Sequence, residues 1–111
     1  MQIDIATTDG ITVLAVSGRM DATTVNDFSE TCQKLLAEGA QKFVIDLGGL
    51  EYISSAGLRG ILMLEKSSKK NGSSLAFCSM QAMVADMFKL SGFTSILHVY
   101  PTREEALDSL R

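Results

Sequence analysis

The sequence predicts an α/β fold, a mixed sheet of about five strands with four helices in the order ββαβαβαβα. Three observations predict it. Short runs of β-branched and aliphatic residues alternate along the chain with longer segments whose apolar residues recur every three or four positions. The first two such runs are separated only by Thr8-Asp9-Gly10, a hairpin signal that makes them antiparallel. Every later strand is reached through a helical segment, and a crossover of that length brings the chain back parallel to the strand it left.

The elements follow in order. Residues 3–6 and 11–16 read as the hairpin strands. After Gly18-Arg19-Met20-Asp21, the residues Val25, Phe28, Cys32, Leu35 and Leu36 keep helical spacing, and Gly39 supplies a left-handed stop. Residues 42–47 are almost continuously apolar, as in a strand buried on both faces, and Gly48-Gly49 is expected to break it. From residue 56 to about 70 a second helix carries Leu58, Ile61, Leu62 and Leu64 on one arc, with Arg59, Met63, Lys66 and Lys70 on another. Asn71-Gly72 ends it. Residues 74–78 read as a fourth strand, and Val84, Met87 and Phe88 form the inner stripe of a third helix stopped at Ser91-Gly92. A last strand is expected at 95–99. Thr102-Arg103-Glu104-Glu105 is a capping box that opens a terminal helix. The pattern leaves open whether the helices cover one face of the sheet or both, and so few helices for about five strands favour a one-sided arrangement.

Composition excludes several classes of function. At 111 residues and 46% hydrophobic content the chain reads as one domain, 1–111, with a single proline, no low-complexity stretch and no repeat. A formal net charge of -3 and scattered basic residues give no electrostatic footprint for nucleic acid. Neither a signal peptide nor a membrane span is recognisable, so a cytoplasmic location is expected. Cys32 and Cys78 lie far apart in apolar patterns without metal-ligand spacing, and read as reduced core thiols. Gly48-Gly49 is followed by no P-loop lysine and belongs to no dinucleotide fingerprint, so no cofactor is expected. The lone histidine, His98, reads as a core or edge side chain. Ile53-Ser54-Ser55-Ala56-Gly57 lacks the first glycine of a nucleophile elbow and no base is evident, so the chain is not expected to be an enzyme.

The most informative segment is 43–59, which passes from a strand through a turn into a helix that opens with serines. The N–H groups of a first helical turn lack intrahelical acceptors and carry positive partial charge; they favour a serine cap and accommodate a phosphate. Capping and phosphorylation both fit these residues.

Asp46-Leu47-x-x-Leu50-x-Tyr52-Ile53-Ser54-Ser55-Ala56-Gly57-Leu58 resembles the signature of STAS domains, the family of bacterial anti-sigma factor antagonists. The likeness extends to Gly18-Arg19-Met20-Asp21, to Ser91-Gly92-Phe93 and to the length of a stand-alone member. The resemblance implies a STAS-like sheet and a partner switch. The unphosphorylated protein would capture an anti-sigma factor that is itself a serine kinase and so free a sigma factor; phosphorylation would end the capture and a metal-dependent serine phosphatase would restore it. ATP would belong to the kinase. Alignment places the acceptor at Ser55. Ser54 stands where well-studied members carry aspartate and is the competing acceptor. Asp21 matches the family's acidic residue near the end of the second strand. Asp21, Ser54, Ser55, Gly57, Leu58 and Arg59 are the expected partner-binding residues, although Asp21 could equally cap the first helix and Arg59 could belong to a solvated face. The alternative implied by the family is a constitutive STAS scaffold in a transport or stress-signalling complex.

Overall fold

A computed structural model describes residues 1–111. The elements are β1 (Gln2–Thr8), β2 (Ile11–Met20), α1 (Val25–Ala37), β3 (Lys42–Ile53), α2 (Ser55–Lys70), β4 (Ser74–Cys78), α3 (Ala82–Leu90), a 3-10 turn (Phe93–Ser95), β5 (Val99–Tyr100) and α4 (Arg103–Leu110). The strands lie side by side in chain order, β1-β2-β3-β4-β5. β1 and β2 are antiparallel, and all later neighbours are parallel. Asp9 (φ 54°) and Gly10 (φ 77°) both adopt left-handed backbone, as a two-residue type I′ hairpin requires. Thr102 accepts a hydrogen bond from the Glu105 N–H at 3.1 Å, so the Thr102 half of the expected capping box forms at α4, while the return bond from the Glu105 side chain does not.

Strand alternation divides the core. Leu14, Val16 and Met20 of β2 and Phe43, Ile45 and Leu47 of β3 face a large cluster completed by Phe28 and Cys32 of α1, Ile61 and Leu64 of α2, and Val84 and Phe88 of α3. Ile11, Val13, Val44, Ala76 and Cys78 face the other way, under Ala106 and Leu107 of α4. The helices therefore cover both faces, three on one and α4 on the other, against the one-sided arrangement expected. The small side chains of Ala76 and Cys78 let a short helix seat there, and Arg103 Nε donates to Asp46 Oδ2 at 2.8 Å to fasten its first turn to β3.

Several boundaries also differ from expectation. The hairpin strands run longer than 3–6 and 11–16, to Thr8 and Met20, so Gly18-Arg19-Met20 belongs to the second strand rather than following it. β3 does not stop at Gly48-Gly49 but continues to Ile53, pairing Gly49 with Ser17 and Ile53 with Met20 across two register shifts. A Cβ on Gly49 would lie 2.7 Å from Ser17 Cβ, so this glycine marks a bulged close approach of two strands. β5 has two residues only. The chain before it winds into the 3-10 turn, which carries Phe93 and Leu97 into the main core, with Leu97 N–H donating to Phe93 O at 2.8 Å. Burial of two large side chains outweighs the ladder positions given up at 95–98.

Candidate functional site at the start of the second helix

Because β2 and β3 are parallel, the loop leaving β2 and the junction entering α2 meet at one end of the sheet. The Ser54 N–H donates to Met20 O at 2.9 Å and draws the two chains together. Asp21 and Ser55, each the next residue, thus emerge at the same rim.

Ser54 is the N-cap of α2. Its backbone is extended (φ -93°, ψ 177°), its Oγ accepts from the Gly57 N–H at 3.2 Å, and its carbonyl accepts from the Leu58 N–H at 2.9 Å. The side chain is half-buried and its oxygen already has a structural partner. Ser55 is the first helical residue and is exposed, beside the positive end of the helix dipole. The expectation that the helix opens at residue 56 is thus corrected by one position, and the two serines differ in kind.

Gly57 and Leu58 are buried, Leu58 in the main cluster. A Cβ on Gly57 would stand 2.8 Å from Met20 O and 2.7 Å from Ile53 Cγ1, so the helix can approach the strands this closely only with glycine there. Gly60 plays the same part against α1, with Val25 Cγ2 at 2.4 Å from the position of a Cβ. These residues position the helix. The surface offered outward is Ser55, Arg59 and Met63, spaced four apart along one exposed stripe of α2, with Met63 60% exposed.

Asp21 does not cap α1. Its Oδ1 accepts from the Thr23 hydroxyl at 2.6 Å and from the Thr23 N–H at 2.9 Å, and its carbonyl accepts from the N–H groups of Thr24 and Val25. The Thr23 hydrogen bonds, the hydroxyl foremost, hold the Asp21 carboxyl below its ordinary pKa. These bonds favour the ionised form of the carboxylate and hold the loop in shape. Thr24 Oγ1 completes it, donating to Arg19 O at 2.9 Å and accepting from the Asp21 N–H at 3.0 Å.

Arg19 was not legible as part of this rim. Its guanidinium lies 4.2 Å from the centroid of the Tyr52 ring, its register partner on β3. Only the shifted register puts the two opposite each other; the one sequence signal was the proximity of Arg19 to Asp21 and of Tyr52 to the serines. His98 is exposed just before β5, and its carbonyl accepts from the Phe77 N–H at 2.9 Å. Cys32 and Cys78 are buried; burial raises both thiols, Cys32 to about 12. No group of three His, Cys, Asp or Glu side chains is placed to hold a metal ion, and no helix is long and apolar enough to cross a membrane.

A family model described as the STAS domain matches residues 2–106. BtrV of Bordetella bronchiseptica, named provisionally as an anti-sigma factor antagonist, is 31% identical over 106 residues, covering 96% of this chain and 91% of BtrV. The anti-sigma-F factor antagonist RsfB of Mycobacterium tuberculosis is 26% identical over 111 residues, covering 98% of this chain and 88% of RsfB. The solved structure of the Bacillus cell fate determinant SpoIIAA in its phosphorylated form superposes with a TM-score of 0.75 at 18% identity, covering 99% of this chain and all of that one.

Proposed function

The chain belongs to the STAS domain family, and on that premise we propose that it is an anti-sigma factor antagonist whose capture of an anti-sigma factor is switched off by phosphorylation of Ser55. The observation that carries this reading is the division of labour between adjacent serines. Ser54 is occupied in holding the helix N-terminus, whereas Ser55 stands exposed on the first turn, free to be modified without dismantling the cap.

A phosphoserine adds a charge of about -1.5 to -2 and several strong acceptor oxygens. On the first turn of α2 it is stabilised by the helix dipole by about 0.3–1 kcal/mol, so the domain stays folded and the change is felt by whatever docks there. Two effects oppose docking. The new charge joins Asp21, already held ionised at the same rim, and repels an acidic or closely packed partner surface. It also lies one turn before Arg59, where a phosphate at i can pair with a guanidinium at i+4 and withdraw it from an intermolecular contact. Each ~1.4 kcal/mol lost is a tenfold loss of affinity, so modest effects suffice to exchange partners. The serine kinase is the anti-sigma factor itself, a metal-dependent phosphatase removes the phosphate, and this chain transfers no group of its own.

The test is to incubate the purified protein with a candidate anti-sigma kinase and ATP, map the phosphate by peptide mass spectrometry, and titrate binding before and after. We expect phosphate on Ser55, at least tenfold weaker capture by Ser55→Asp, and capture without release by Ser55→Ala. Equal affinity of wild type and Ser55→Asp, or phosphate retained in full by Ser55→Ala, would overturn the assignment.

A further inference from the structure

The far end of α2 carries a second feature that the switch does not use. Glu65 is 6% exposed, and its Oε2 has no hydrogen-bond partner. Ser68 Oγ, one turn on along the same face, is the other buried side-chain polar atom without one. Glu65 forms part of the wall of a cleft of about 350 Å³, at the small end of the range for ligand sites. The cleft exists because β5 pairs with β4 only at Phe77 and Cys78, leaving the edge of β4 at Ser74 and Leu75 uncovered. Glu65 and Lys69 of α2 wall it on one side and Ser109 of α4 on the other, with His98 and Tyr100 at the sheet edge.

We propose that this cleft binds a small organic ammonium compound, whose cationic head pairs with the Glu65 carboxylate through Oε1, the oxygen on the Lys69 side, Oε2 being shielded, while hydroxyl and main-chain groups of the β4 edge hold the remainder. A carboxylate this buried is costly without compensation, and an ammonium supplies three donors in a compact volume. The charge present within the chain does not meet that need. Lys69 Nζ is 4.0 Å from Glu65 Oε1, at the limit of an ion pair, with its side chain 69% exposed, an arrangement typically weak. A ligand ammonium can displace it at little cost. An anion is disfavoured by Glu65 itself. Over the ten residues from Ser55 to Glu65 a helix rises about 15 Å, so the cleft is separate from the phosphorylation rim and the proposal stands apart from the switch.

The test is a titration of the full chain with ethanolamine hydrochloride, followed by amide chemical shifts at constant pH and ionic strength. Sodium chloride and ethylene glycol serve as matched controls, and wild type, Glu65→Gln and Lys69→Met are compared. Saturable shifts centred on Leu75 and His98, at least tenfold weaker in Glu65→Gln and tighter in Lys69→Met, are expected. Non-saturable shifts, shifts reproduced by either control, or affinities unchanged by both substitutions would overturn the proposal. The Lys69→Met arm reads the same interaction with the carboxylate in place, so it remains decisive if Glu65→Gln perturbs the fold.

Discussion

Gly57→Ala tests whether the helix that carries the switch is held by close approach to the strands. In an uncrowded helix the substitution stabilises, because alanine is favoured over glycine by up to ~1 kcal/mol. Here the added Cβ would meet Met20 O at 2.8 Å and Ile53 Cγ1 at 2.7 Å, well inside the 3.4 Å at which ordinary contact begins. Overfilling a packed site costs about 1–3 kcal/mol. Any retreat of the first turn also lengthens the Gly57 N–H bond to Ser54 Oγ, and losing a cap costs about 1 kcal/mol. The balance is a net loss of about 1–3 kcal/mol, readable as a lower urea midpoint at unchanged slope. Rescue separates the causes. The obstacle at Gly57 includes a main-chain carbonyl, so in a double-mutant cycle the Gly57→Ala penalty should persist in an Ile53→Ala background, where Cγ1 is gone and Met20 O remains. At Gly60 the nearest obstacle is the Val25 side chain, so Gly60→Ala should be strongly coupled to Val25→Ala, by about 1 kcal/mol or more in a double-mutant cycle. A Gly57→Ala protein as stable as wild type, or a penalty that vanishes in the Ile53→Ala background, would refute the close-packing argument.

Ser54→Ala should cost about 1 kcal/mol through loss of the cap while leaving phosphate stoichiometry on Ser55 unchanged; labelling lost with Ser54 would move the acceptor there. Asp21 has a folded pKa below its ordinary 3.8, so its contribution to stability is fully present above pH 3.8 and declines as pH falls through the folded value. The stability gap between wild type and Asp21→Asn, followed by thermal unfolding, should therefore narrow on acidification below that point, and a constant gap would count against the Thr23 bonds as its cause. Cys32 and Cys78 should be silent toward a thiol reagent in the native protein and both react in denaturant; rapid native labelling would contradict their burial.

Much of this was legible because its causes are local. The left-handed Asp9-Gly10 hairpin, the stops at Gly39, Gly72 and Gly92, and the Thr102 cap each depend on a few neighbouring residues, and each occurs as its chemistry dictates. The exceptions depend on partners distant in sequence. Gly48-Gly49 reads as a break, yet pairing with Ser17 and Gly18 carries β3 through it. Residues 95–99 have strand composition, but the core claims Phe93 and Leu97 first. The second face of the sheet is decided by how small Ala76 and Cys78 are beneath α4, which no periodicity reports. At the site, the position of the serines at a helix start could be read, whereas which one caps required the single-residue offset between Ser54 and Ser55. The stacking of Arg19 on Tyr52 follows from a register shift, and its one trace in the sequence was that each residue lies near a candidate site residue.

The identity of strand order and chain order has a kinetic consequence. No strand waits for a partner made later and inserted between existing neighbours; each new strand docks on the edge its predecessor has just formed, β2 through a hairpin and the rest through one crossover each. The loops to be closed are short, the contact order of the sheet is low for a parallel architecture, and the entropy of closure is spent in small instalments. Such a chain can assemble vectorially as it leaves the ribosome. The β3–α2 rim would then take shape before α3, β5 and α4 have emerged, so truncated chains ending after β4 should already protect the amides of β2 and β3 from hydrogen exchange.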